Sequence, residues 1–338
     1  MRLLPVLLGA LSVLVAADGF AAVPPSYREG LQRFTPEMIR THRFDQAELI
    51  ALMAQARYRQ EIIDAIRRPW EAKPWRQYRS IFVTEQRIAG GARFWRDNAQ
   101  TLERARTIYG VPPEIITAII GVETNYGGNL GRHRVIDALS TLGFSYPERA
   151  DFFRKELESF LLLSREESVD AARVTGSYAG AVGMPQFIPS SYRAYAVDFD
   201  GDGRRDLWES RADVIGSVAS YLQRHGWKEG EAVAVPAQVA NGVPAGVPVA
   251  GKKPVKPELR LGALESKGVR PSESLDPSTW VSLILLDGAE DEYWLGLENF
   301  YAITRYNNSN LYAMAVYQLS REIKARYESE SEKSAAAD

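Results

Sequence analysis

The sequence predicts a mainly α-helical protein with a small inserted β-rich subdomain. Its 338 residues correspond to about two domains at roughly 150 residues each. Apolar residues recur at spacings of three and four along most of the chain, which is typical of amphipathic helices. Over residues 229–287, in contrast, Gly, Pro and Val dominate and a short β run occurs.

The composition excludes several classes of protein. Hydrophobic residues make up 45% and charged residues 25%, which excludes wholly disordered, collagen-like and multi-span membrane proteins. Lys and Arg number 41 against 43 Asp and Glu, so the net charge of −2 indicates neither a nucleic-acid partner nor binding to an anionic membrane. The absence of cysteine excludes disulfides, thiolate catalysis, Cys-ligated zinc and lipid attachment to cysteine.

Residues 1–21 have the pattern of a signal peptide. Arg2 supplies the positive start, and Leu3–Ala17 is an uncharged, mostly apolar run of 15 residues. A membrane-spanning helix needs about 20 such residues. Gly19 and Ala21 are small residues at the −3 and −1 positions of a cleavage site. We expect an exported, soluble protein that begins at Ala22; the alternative is an uncleaved membrane anchor.

Residues 22–106 are predicted to form an N-terminal helical domain. Asp45 is a plausible N-cap for a helix that carries apolar residues from Leu49 to Ala56. A loop rich in prolines and aromatics follows at residues 69–78, and a long helical stretch begins at Thr84 and ends at Gly110.

Residues 107–228 and 288–327 are predicted to form one helical core around the insertion at 229–287. Pro112 and Pro113 start a helix in this core, and Trp280–Leu286 is the clearest strand of the insertion. The alternative for the insertion is a mobile linker. Helical periodicity resumes at Asp291, and residues 328–338 are predicted to be a flexible acidic tail.

The helix from Pro112 carries a candidate catalytic carboxyl group. Ile115, Ile119 and Glu123 are spaced by four, so the carboxyl lies on the same face as the isoleucines. Partial desolvation raises a carboxyl pKa, which suits general-acid cleavage of a glycosidic bond. A Glu near a helix end is more often a solvated or ion-paired residue, so this reading needs further support.

The segment Gly176–Tyr192 has three glycines within eight residues, which allow close approach of the backbone to another surface. Ser177, Tyr178 and Gln186 add polar and aromatic groups suited to sugar hydroxyls and an acetamide. The alternative is a tightly packed structural loop. Ser177 does not lie in a G-x-S-x-G motif, and no HExxH sequence is present, so neither a serine nucleophile nor a catalytic zinc is expected.

The segment from residue 198 fits the calcium-loop pattern D-x-[DN]-x-[DN]-G-x5-E. Asp198, Asp200 and Asp202 would repel one another without a cation, Arg204 offers a backbone carbonyl, and Glu209 occupies the last position of the motif. We expect one structural Ca²⁺ in an EF-hand-like loop at 198–213, because the flanks do not resemble two long EF-hand helices. The alternative is an acidic surface turn.

A last polar and aromatic turn precedes the final helical stretch. Two of its residues, Tyr306 and Tyr312, have rings that stack on sugars. Asn307 has an amide group that hydrogen-bonds an acetamide. A helix-capping turn explains the same residues equally well.

Together, Gly121–Gly127, residues 177–192, the acidic loop and Arg305–Asn307 resemble the MltB/SltB family of lytic murein transglycosylases, in order and spacing from about Val111 to Leu319. The resemblance implies a lysozyme-like α+β catalytic core. It also implies cleavage of the MurNAc-GlcNAc bond of peptidoglycan to a 1,6-anhydro-MurNAc end, without water as the nucleophile.

By position, the resemblance assigns Glu123 as the single catalytic acid and base, and it assigns Ser177, Gln186, Tyr306, Asn307 and Tyr312 to glycan contacts. In this family the last acidic calcium ligand lies beyond the twelfth loop position, so Asp213 and Glu209 remain alternatives. The absence of a lipobox cysteine favours a soluble periplasmic form over a membrane-bound one.

Two functions of other classes remain open on the sequence. One is a hydrolytic muramidase, and the other is a catalytically silent peptidoglycan-binding scaffold. In the favoured reading no cofactor takes part in the chemistry, glycan strands are the main partner, and other cell-wall enzymes are candidate partners. Neither nucleic-acid binding nor stable membrane insertion is expected.

Overall fold

The computed structural model describes residues 23–68, 73–239, 242–288 and 290–335. The predicted signal peptide and its cleavage site lie outside these residues, as do Pro69 and Trp70 of the proline-rich loop. Among the described residues, no helix is both long enough and apolar enough to cross a membrane.

The N-terminal part of the chain is helical, as the sequence predicts. Asp45 caps α2 through its Oδ1, which accepts the Glu48 N–H at 2.9 Å, and Thr84 caps α5 by accepting the Arg87 N–H at 3.3 Å. Gly110 ends α6 in the left-handed region, at φ +70°. The helices are α1 Pro25–His42, α2 Gln46–Met53, α3 Gln60–Ile66, α4 Trp75–Phe82, α5 Glu85–Asp97 and α6 Ala99–Tyr109.

The next helix, α7 (Pro113–Thr124), is the centre of the molecule. Pro112 precedes it and Pro113 is its first residue, where a missing N–H costs little. Helices α5 and α6 pack against α7, together with two helices from later in the chain. Because α7 is covered on several sides, nearly all of its residues are buried, and a helix of this kind is apolar all round.

The rest of the helical core comes from two segments separated by the insertion. Two short strands of this core pair antiparallel, with His133 opposite Gly176. The elements before the insertion are β1 His133–Arg134, α8 Val135–Ser145, α9 Ala150–Glu166, β2 Thr175–Gly176, α10 Pro189–Tyr195 and α11 Arg211–Arg224. Those after the insertion are α13 Glu298–Thr304 and α14 Asn310–Ala335.

The insertion folds as a six-stranded sheet with a short helix, rather than as a mobile linker. The strand order is β4-β7-β8-β3-β6, and β5 pairs with the outer part of β7. Its own apolar cluster includes Val235, Leu283 and Leu295. The elements are β3 Ala234–Val239, β4 Val249–Ala250, β5 Leu259–Arg260, α12 Leu261–Glu265, β6 Val269–Pro271, β7 Trp280–Asp287 and β8 Asp291–Gly296.

The prediction that helical structure resumes at Asp291 is wrong. Residues Asp291–Gly296 form strand β8, which pairs antiparallel with both β7 and β3. Trp294 lies opposite Ile284 and Leu295 opposite Leu283, so tertiary pairing with the preceding strand determines the conformation of this stretch. The sheet therefore extends past the predicted boundary at residue 287.

The predicted flexible tail is also wrong over residues 328–335, because α14 continues to Ala335. The ring of Tyr327 stacks on Trp95 of α5, with the ring centroids 4.3 Å apart and the planes 4° from parallel. Glu330 pairs with Arg96 at 2.9 Å. These contacts hold the end of the helix against α5.

Candidate active site

Glu123 lies in the last turn of α7, at the point where a buried helix meets a partly exposed turn. Within α7, only Glu114 near the start and Glu123 near the end are partly exposed, and the other residues are buried. Asn125 then adopts a left-handed conformation at φ 51°, which ends the helix and turns the chain away. The predicted placement of a carboxyl at the end of an apolar helix face matches this geometry.

The hydroxyl of Tyr312 donates a hydrogen bond of 2.6 Å to Oε1 of Glu123. Tyr312 lies in the first turn of α14, and its side chain is 2% exposed. Burial, together with the nearby charge of Glu123, holds the pKa of Tyr312 well above its ordinary value. The tyrosine therefore keeps its proton and is the donor, so its hydroxyl contacts the candidate acid.

Tyr306 extends this aromatic group towards the Gly-rich segment. Its ring is parallel to that of Tyr312 within 11°, with the centroids 6.3 Å apart, and its hydroxyl donates to the Pro185 carbonyl at 2.6 Å. Burial also raises the pKa of Tyr306 well above its ordinary value. Tyr221 of α11, which the sequence analysis did not single out, packs 4.8 Å from Tyr306 and donates to the Arg305 carbonyl.

The Gly-rich segment is a pair of tight turns, and its polar side chains hold it together. The Ser177 hydroxyl oxygen accepts the Ala179 N–H at 3.2 Å and the Ala181 N–H at 3.0 Å. Gln186 has φ 49°, and its amide Nε2 donates to the Gly183 carbonyl at 3.0 Å and to the Leu130 carbonyl at 3.3 Å. Both residues therefore shape the loop on which their partly exposed side chains lie.

A hydrogen bond from α7 fixes this segment beside Glu123. Thr124 donates its hydroxyl to the Met184 carbonyl at 2.8 Å, and the same oxygen accepts the Gly127 N–H at 3.0 Å. The structure thus brings together three of the motifs singled out in the sequence. Tyr178 and Asn307 are partly exposed in these same segments.

Sequence reasoning missed the role of Tyr126 in supporting α7. Its hydroxyl donates to the Arg87 carbonyl at 2.6 Å, while Arg87 Nε donates to the Gly121 carbonyl at 3.1 Å. A Cβ atom on Gly121 would lie 2.5 Å from the Tyr126 hydroxyl, and one on Gly90 would lie 2.9 Å from its ring. The glycines at these positions were the available signal, since they allow a large ring to lie against two helices.

The acidic loop forms the expected cluster of carboxylates. Oxygens of Asp198, Asp200 and Asp202 lie within 4.8 Å of one another. Asp198 accepts backbone N–H groups from Gly201 at 2.7 Å and from Gly203 at 2.8 Å, and these bonds lower the pKa of its carboxyl. Gly203 has φ +92°, as the sharp turn of the motif requires.

The two alternatives for the last calcium ligand occupy different environments. Asp213 is fully buried at the start of α11, and its carboxylate accepts the N–H groups of Phe199 and Asp206, both at 2.7 Å. Burial raises the pKa of this carboxyl. Glu209 is exposed, and neither residue belongs to the cluster of three aspartates. Arg204 donates its N–H to Asp202 Oδ1 at 2.8 Å.

Comparison with known proteins decides the family. The model of the Transglycosylase SLT domain matches residues 26–321. Membrane-bound lytic murein transglycosylase B of Escherichia coli strain K12 is 43% identical over 303 residues, which cover 86% of this chain and 82% of that protein. The chain belongs to the MltB/SltB family of lytic murein transglycosylases.

Solved structures agree with this assignment. Soluble lytic transglycosylase SltB1 from Pseudomonas aeruginosa matches with a TM-score of 0.81 and 51% identity, covering 88% of this chain and 99% of that one. Escherichia coli Slt35, solved in complex with calcium, matches with a TM-score of 0.80 and 43% identity, covering 88% and 93%. The predicted mainly α, lysozyme-like fold is therefore confirmed, and this lytic transglycosylase acts on peptidoglycan.

Proposed function

We propose that this lytic transglycosylase cleaves the MurNAc-GlcNAc β-1,4 bond and leaves a 1,6-anhydro-MurNAc end, with Glu123 as its single acid and base. The observation that carries the proposal is the Glu123–Tyr312 hydrogen bond at the end of the buried α7. It gives one carboxyl group a fixed orientation beside the loop that carries the candidate glycan contacts. A carboxyl that acts first as an acid and then as a base needs such a fixed position.

The reaction begins with Glu123 protonated. Its proton passes to the glycosidic oxygen, the bond between that oxygen and C1 of MurNAc breaks, and an oxocarbenium-like centre develops at C1. The substrate's own acetamide stabilises this centre. Tyr312 holds Oε1 during the transfer, and its O–H stabilises the carboxylate that remains.

The second half of the reaction closes the sugar on itself. The Glu123 carboxylate removes the proton from the C6 hydroxyl, and the C6 oxygen forms the new bond to C1. The carboxyl is protonated again, no water is consumed, and the atoms balance. Because the C6 hydroxyl belongs to the same ring, its effective concentration at C1 exceeds that of water by orders of magnitude.

A retaining hydrolase would need a second carboxylate about 5–5.5 Å from the first. Three acidic residues of the helical core are candidates for this position: Glu148, Asp151 and Asp170. In the fold, Asp170 pairs with Arg173 at 3.3 Å, and Asp151 pairs with Arg154 and lines a cavity with Phe34 and His42. Glu148 lies exposed in the turn that precedes α9. All three carboxylates are exposed, and the proposal assigns none of them a part in the reaction at Glu123.

The glycan contacts belong to the same proposal. Ser177, Tyr178, Gln186, Tyr306 and Asn307 are partly exposed and lie on the two segments beside Glu123. Ring faces and amide groups of this kind stack on sugars and hydrogen-bond acetamides. Tyr312 is nearly buried, so we assign it chiefly to positioning the acid.

We further propose one structural Ca²⁺ in the loop at 198–213. The donor set fits the ion, because Ca²⁺ takes carboxylate and carbonyl oxygens and three aspartates converge here. Asp198, Asp200, Asp202 and the Arg204 carbonyl would hold it, with Asp213 or Glu209 completing the site. The calcium complex of Slt35, a relative at 43% identity, supports this reading.

The location we propose is the periplasm, with the protein soluble after removal of residues 1–21. The signal-peptide pattern and the absence of a lipobox cysteine support this location. In that compartment the proposed partner is the glycan strands of peptidoglycan. Other cell-wall enzymes are further candidate partners.

The decisive experiment is mass spectrometry of the muropeptides released when the purified protein digests sacculi. The expected ends are 1,6-anhydro-MurNAc, which is lighter than reducing MurNAc by one water. Reducing ends, or incorporation of oxygen-18 from labelled water, would identify a hydrolytic muramidase instead. Glu123→Gln is the control for contaminating enzymes.

A further inference from the structure

The start of α14 is held by a segment of the inserted subdomain. Asn310, the first residue of this helix, is 1% exposed and carries three N–H donors, one on the backbone and two on its side-chain amide. The backbone N–H donates to the Lys252 carbonyl at 2.9 Å, and the amide donates to the carbonyls of Gly251 at 2.7 Å and Lys253 at 3.1 Å. All three donors are therefore satisfied by consecutive carbonyls of the insertion.

These contacts fall at a helix end, where backbone groups need partners from outside the helix. The first N–H groups of a helix have no carbonyl partner within it. Ser309 satisfies one of them, because its hydroxyl oxygen accepts the Tyr312 N–H at 3.3 Å. The Lys252 carbonyl satisfies the N–H of Asn310, and the negative ends of the carbonyl dipoles face the positive end of the helix dipole. The insertion therefore completes the cap of α14.

The segment 251–253 is itself fixed in place by the sheet. It directly follows β4, which pairs in parallel with β7. The side-chain Nζ of Lys252 donates to the Lys73 carbonyl at 2.9 Å, just before α4. Elsewhere on the sheet, the ring of Trp294 on β8 lies against Tyr317 of α14, with the centroids 6.3 Å apart and the planes at 89°. The sheet, the N-terminal part of the chain and the start of α14 are thus joined at this segment.

The same helix turn carries the hydroxyl that contacts the candidate acid. Tyr312 follows Asn310 in the first turn of α14, and its hydroxyl donates to Oε1 of Glu123 at 2.6 Å. A hydrogen bond weakens steeply when its donor and acceptor move apart or out of line. A shift of the first turn of α14 would therefore carry the hydroxyl away from the carboxyl group.

We propose that Asn310 is a positioning residue for the Glu123–Tyr312 pair, and that the inserted subdomain acts on the reaction through it. The proposal rests on the function proposed above, in which Glu123 is the acid and Tyr312 holds its Oε1. In this scheme Asn310 acts only through the helix that carries the Tyr312 hydroxyl. The role assigned to the insertion is to support this pair.

Asn310→Ala is expected to lower kcat about tenfold and to change KM by less than about twofold. The loss in kcat follows because both amide bonds to the insertion are removed and the Tyr312 hydroxyl is no longer held in line. KM is maintained because Tyr306 is held separately, by the Pro185 carbonyl and by the ring of Tyr221. Both constants are measured on purified glycan strands, at a temperature well below the unfolding midpoint of the variant.

A double-mutant cycle with Tyr312→Phe separates positioning from general destabilisation. The double variant is expected to have the kcat of Tyr312→Phe to within about twofold, because the hydroxyl that Asn310 positions is already absent. A further tenfold loss in the double variant would overturn the inference, since the two residues would then act independently. A wild-type kcat in Asn310→Ala would also overturn it, while leaving the proposed function intact.

Asn299→Ala is the matched control, because Asn299 is a buried asparagine that joins α13 to the start of the insertion. Its amide donates to the carbonyls of Lys228 and Glu231, both at 2.8 Å. This variant is expected to lose stability as Asn310→Ala does, to keep a kcat close to that of the wild type, and to combine multiplicatively with Tyr312→Phe. An equal loss of kcat in both asparagine variants would assign the effect to stability and overturn the inference.

Should Asn310→Ala not fold, Asn310→Ser takes its place in the cycle, because the serine hydroxyl retains one side-chain donor. Failure of the proposed function gives a different pattern, in which Glu123→Gln and Tyr312→Phe keep the wild-type kcat. The anchoring of α14 is then tested without catalysis, by amide hydrogen exchange in its first turn. Faster exchange in the Asn310 variant than in wild type and Asn299→Ala would support the inference, and equal exchange in all three proteins would overturn it.

Discussion

Glu123 stands at a boundary between two environments, and its reactivity depends on both. The preceding turns of α7 are buried, whereas Asn125 and the residues after it are partly exposed. Tyr312 contributes a hydroxyl from another helix, at 2.6 Å. We propose that the buried side fixes the carboxyl in place and the open side admits a glycosidic oxygen, so that Glu123 carries both proton transfers.

Replacing Glu123 with Gln is expected to abolish glycan cleavage without unfolding the protein. The amide keeps the shape of the side chain but delivers no proton to the leaving oxygen. The measurement is release of muropeptides from sacculi, with circular dichroism to verify the fold. Glu114→Gln is the matched control, because it makes the same change in the same helix at a residue that pairs with Lys324. Retention of a tenth of the wild-type rate by Glu123→Gln would remove this residue from its role.

Tyr312→Phe is expected to lower kcat about ten- to hundredfold, the range for losing a hydrogen bond to a charged group. The alkaline limb of the kcat profile is expected to move to higher pH, because the carboxylate loses a donor that stabilises its charged form. Tyr317→Phe, on the same helix, controls for loss of a tyrosine hydroxyl elsewhere. A pH profile identical to that of the wild type would leave Tyr312 with only a structural role.

Glu123 and Tyr312 show which part of the candidate site is predictable from the sequence and which part is not. The spacing of Ile115, Ile119 and Glu123 predicts the carboxyl at the end of an apolar face, because that relation is local. The contact with Tyr312 joins residues 189 positions apart, and no periodicity encodes such a contact. The turn motif around Tyr306 predicted that Tyr312 contacts a sugar, and the fold shows in addition that its hydroxyl contacts Glu123.

Among the elements, the acidic loop is the one whose conformation depends most on residues that are close in sequence. Asp198 binds the backbone N–H groups of Gly201, Asp202 and Gly203, so its carboxylate shapes the turn before any ion binds. The Asp200 carboxylate accepts the hydroxyl of Ser210, the N-cap of α11, at 2.7 Å. An ion in this loop therefore acts on the start of a core helix as well as on the loop.

Adding Ca²⁺ is expected to raise the thermal unfolding midpoint, because a ligand that binds only the folded state stabilises it. The double variant Asp198→Asn/Asp202→Asn is expected to lose this increment and to keep cleavage activity at low temperature. Asp276→Asn is a matched control, since Asp276 is an exposed aspartate that accepts a backbone N–H from Ser278 outside the loop. A melting curve insensitive to EDTA, in protein that contains no metal, would contradict the calcium reading.

Strand β8 shows where element-level prediction fails. Residues 291–296 contain the apolar Tyr293, Trp294 and Leu295 in succession, a run too short to separate strand from helix by period. Pairing with Ser282–Asp287 of β7 makes this stretch a strand, and that pairing is a tertiary contact that the local sequence does not encode. In the same way, the helical end of α14 follows from the stack of Tyr327 on Trp95, which composition does not reveal.

Across the whole molecule, buried tyrosine hydroxyls recur from the first helix to the last. Burial raises the pKa of Tyr27 to about 12, and it raises the pKa values of Tyr126, Tyr192 and Tyr221 further. Each hydroxyl has a hydrogen-bond partner, such as Ser140 for Tyr27 at 3.0 Å. The folded protein therefore keeps protons that an unfolded chain releases at about pH 10.

The thermal midpoint is expected to fall as the pH rises above about 10, because the unfolded state then binds fewer protons than the folded state. Below that pH the tyrosines are neutral in both states and their contribution to stability is complete. Tyr27→Phe is expected to make the fall shallower, because the tyrosine whose pKa is raised by burial is then removed. The measurement is a series of melting curves with absorbance of tyrosinate. A midpoint that stays constant through this range would refute the argument.

The bond between Glu123 and Tyr312 also has a consequence for the order of folding. This hydrogen bond joins residues 189 positions apart, and the chain between them contains the whole inserted sheet. Closing so long a loop costs conformational entropy, so the contact forms only when the core is packed. During synthesis, a chain that has emerged as far as α7 has its acid but lacks the hydroxyl that orients it. Partly made or partly unfolded molecules therefore do not have the Glu123–Tyr312 pair assembled. If Glu123 is the acid, as we propose, cell-wall cleavage by this enzyme is coupled to completion of the fold.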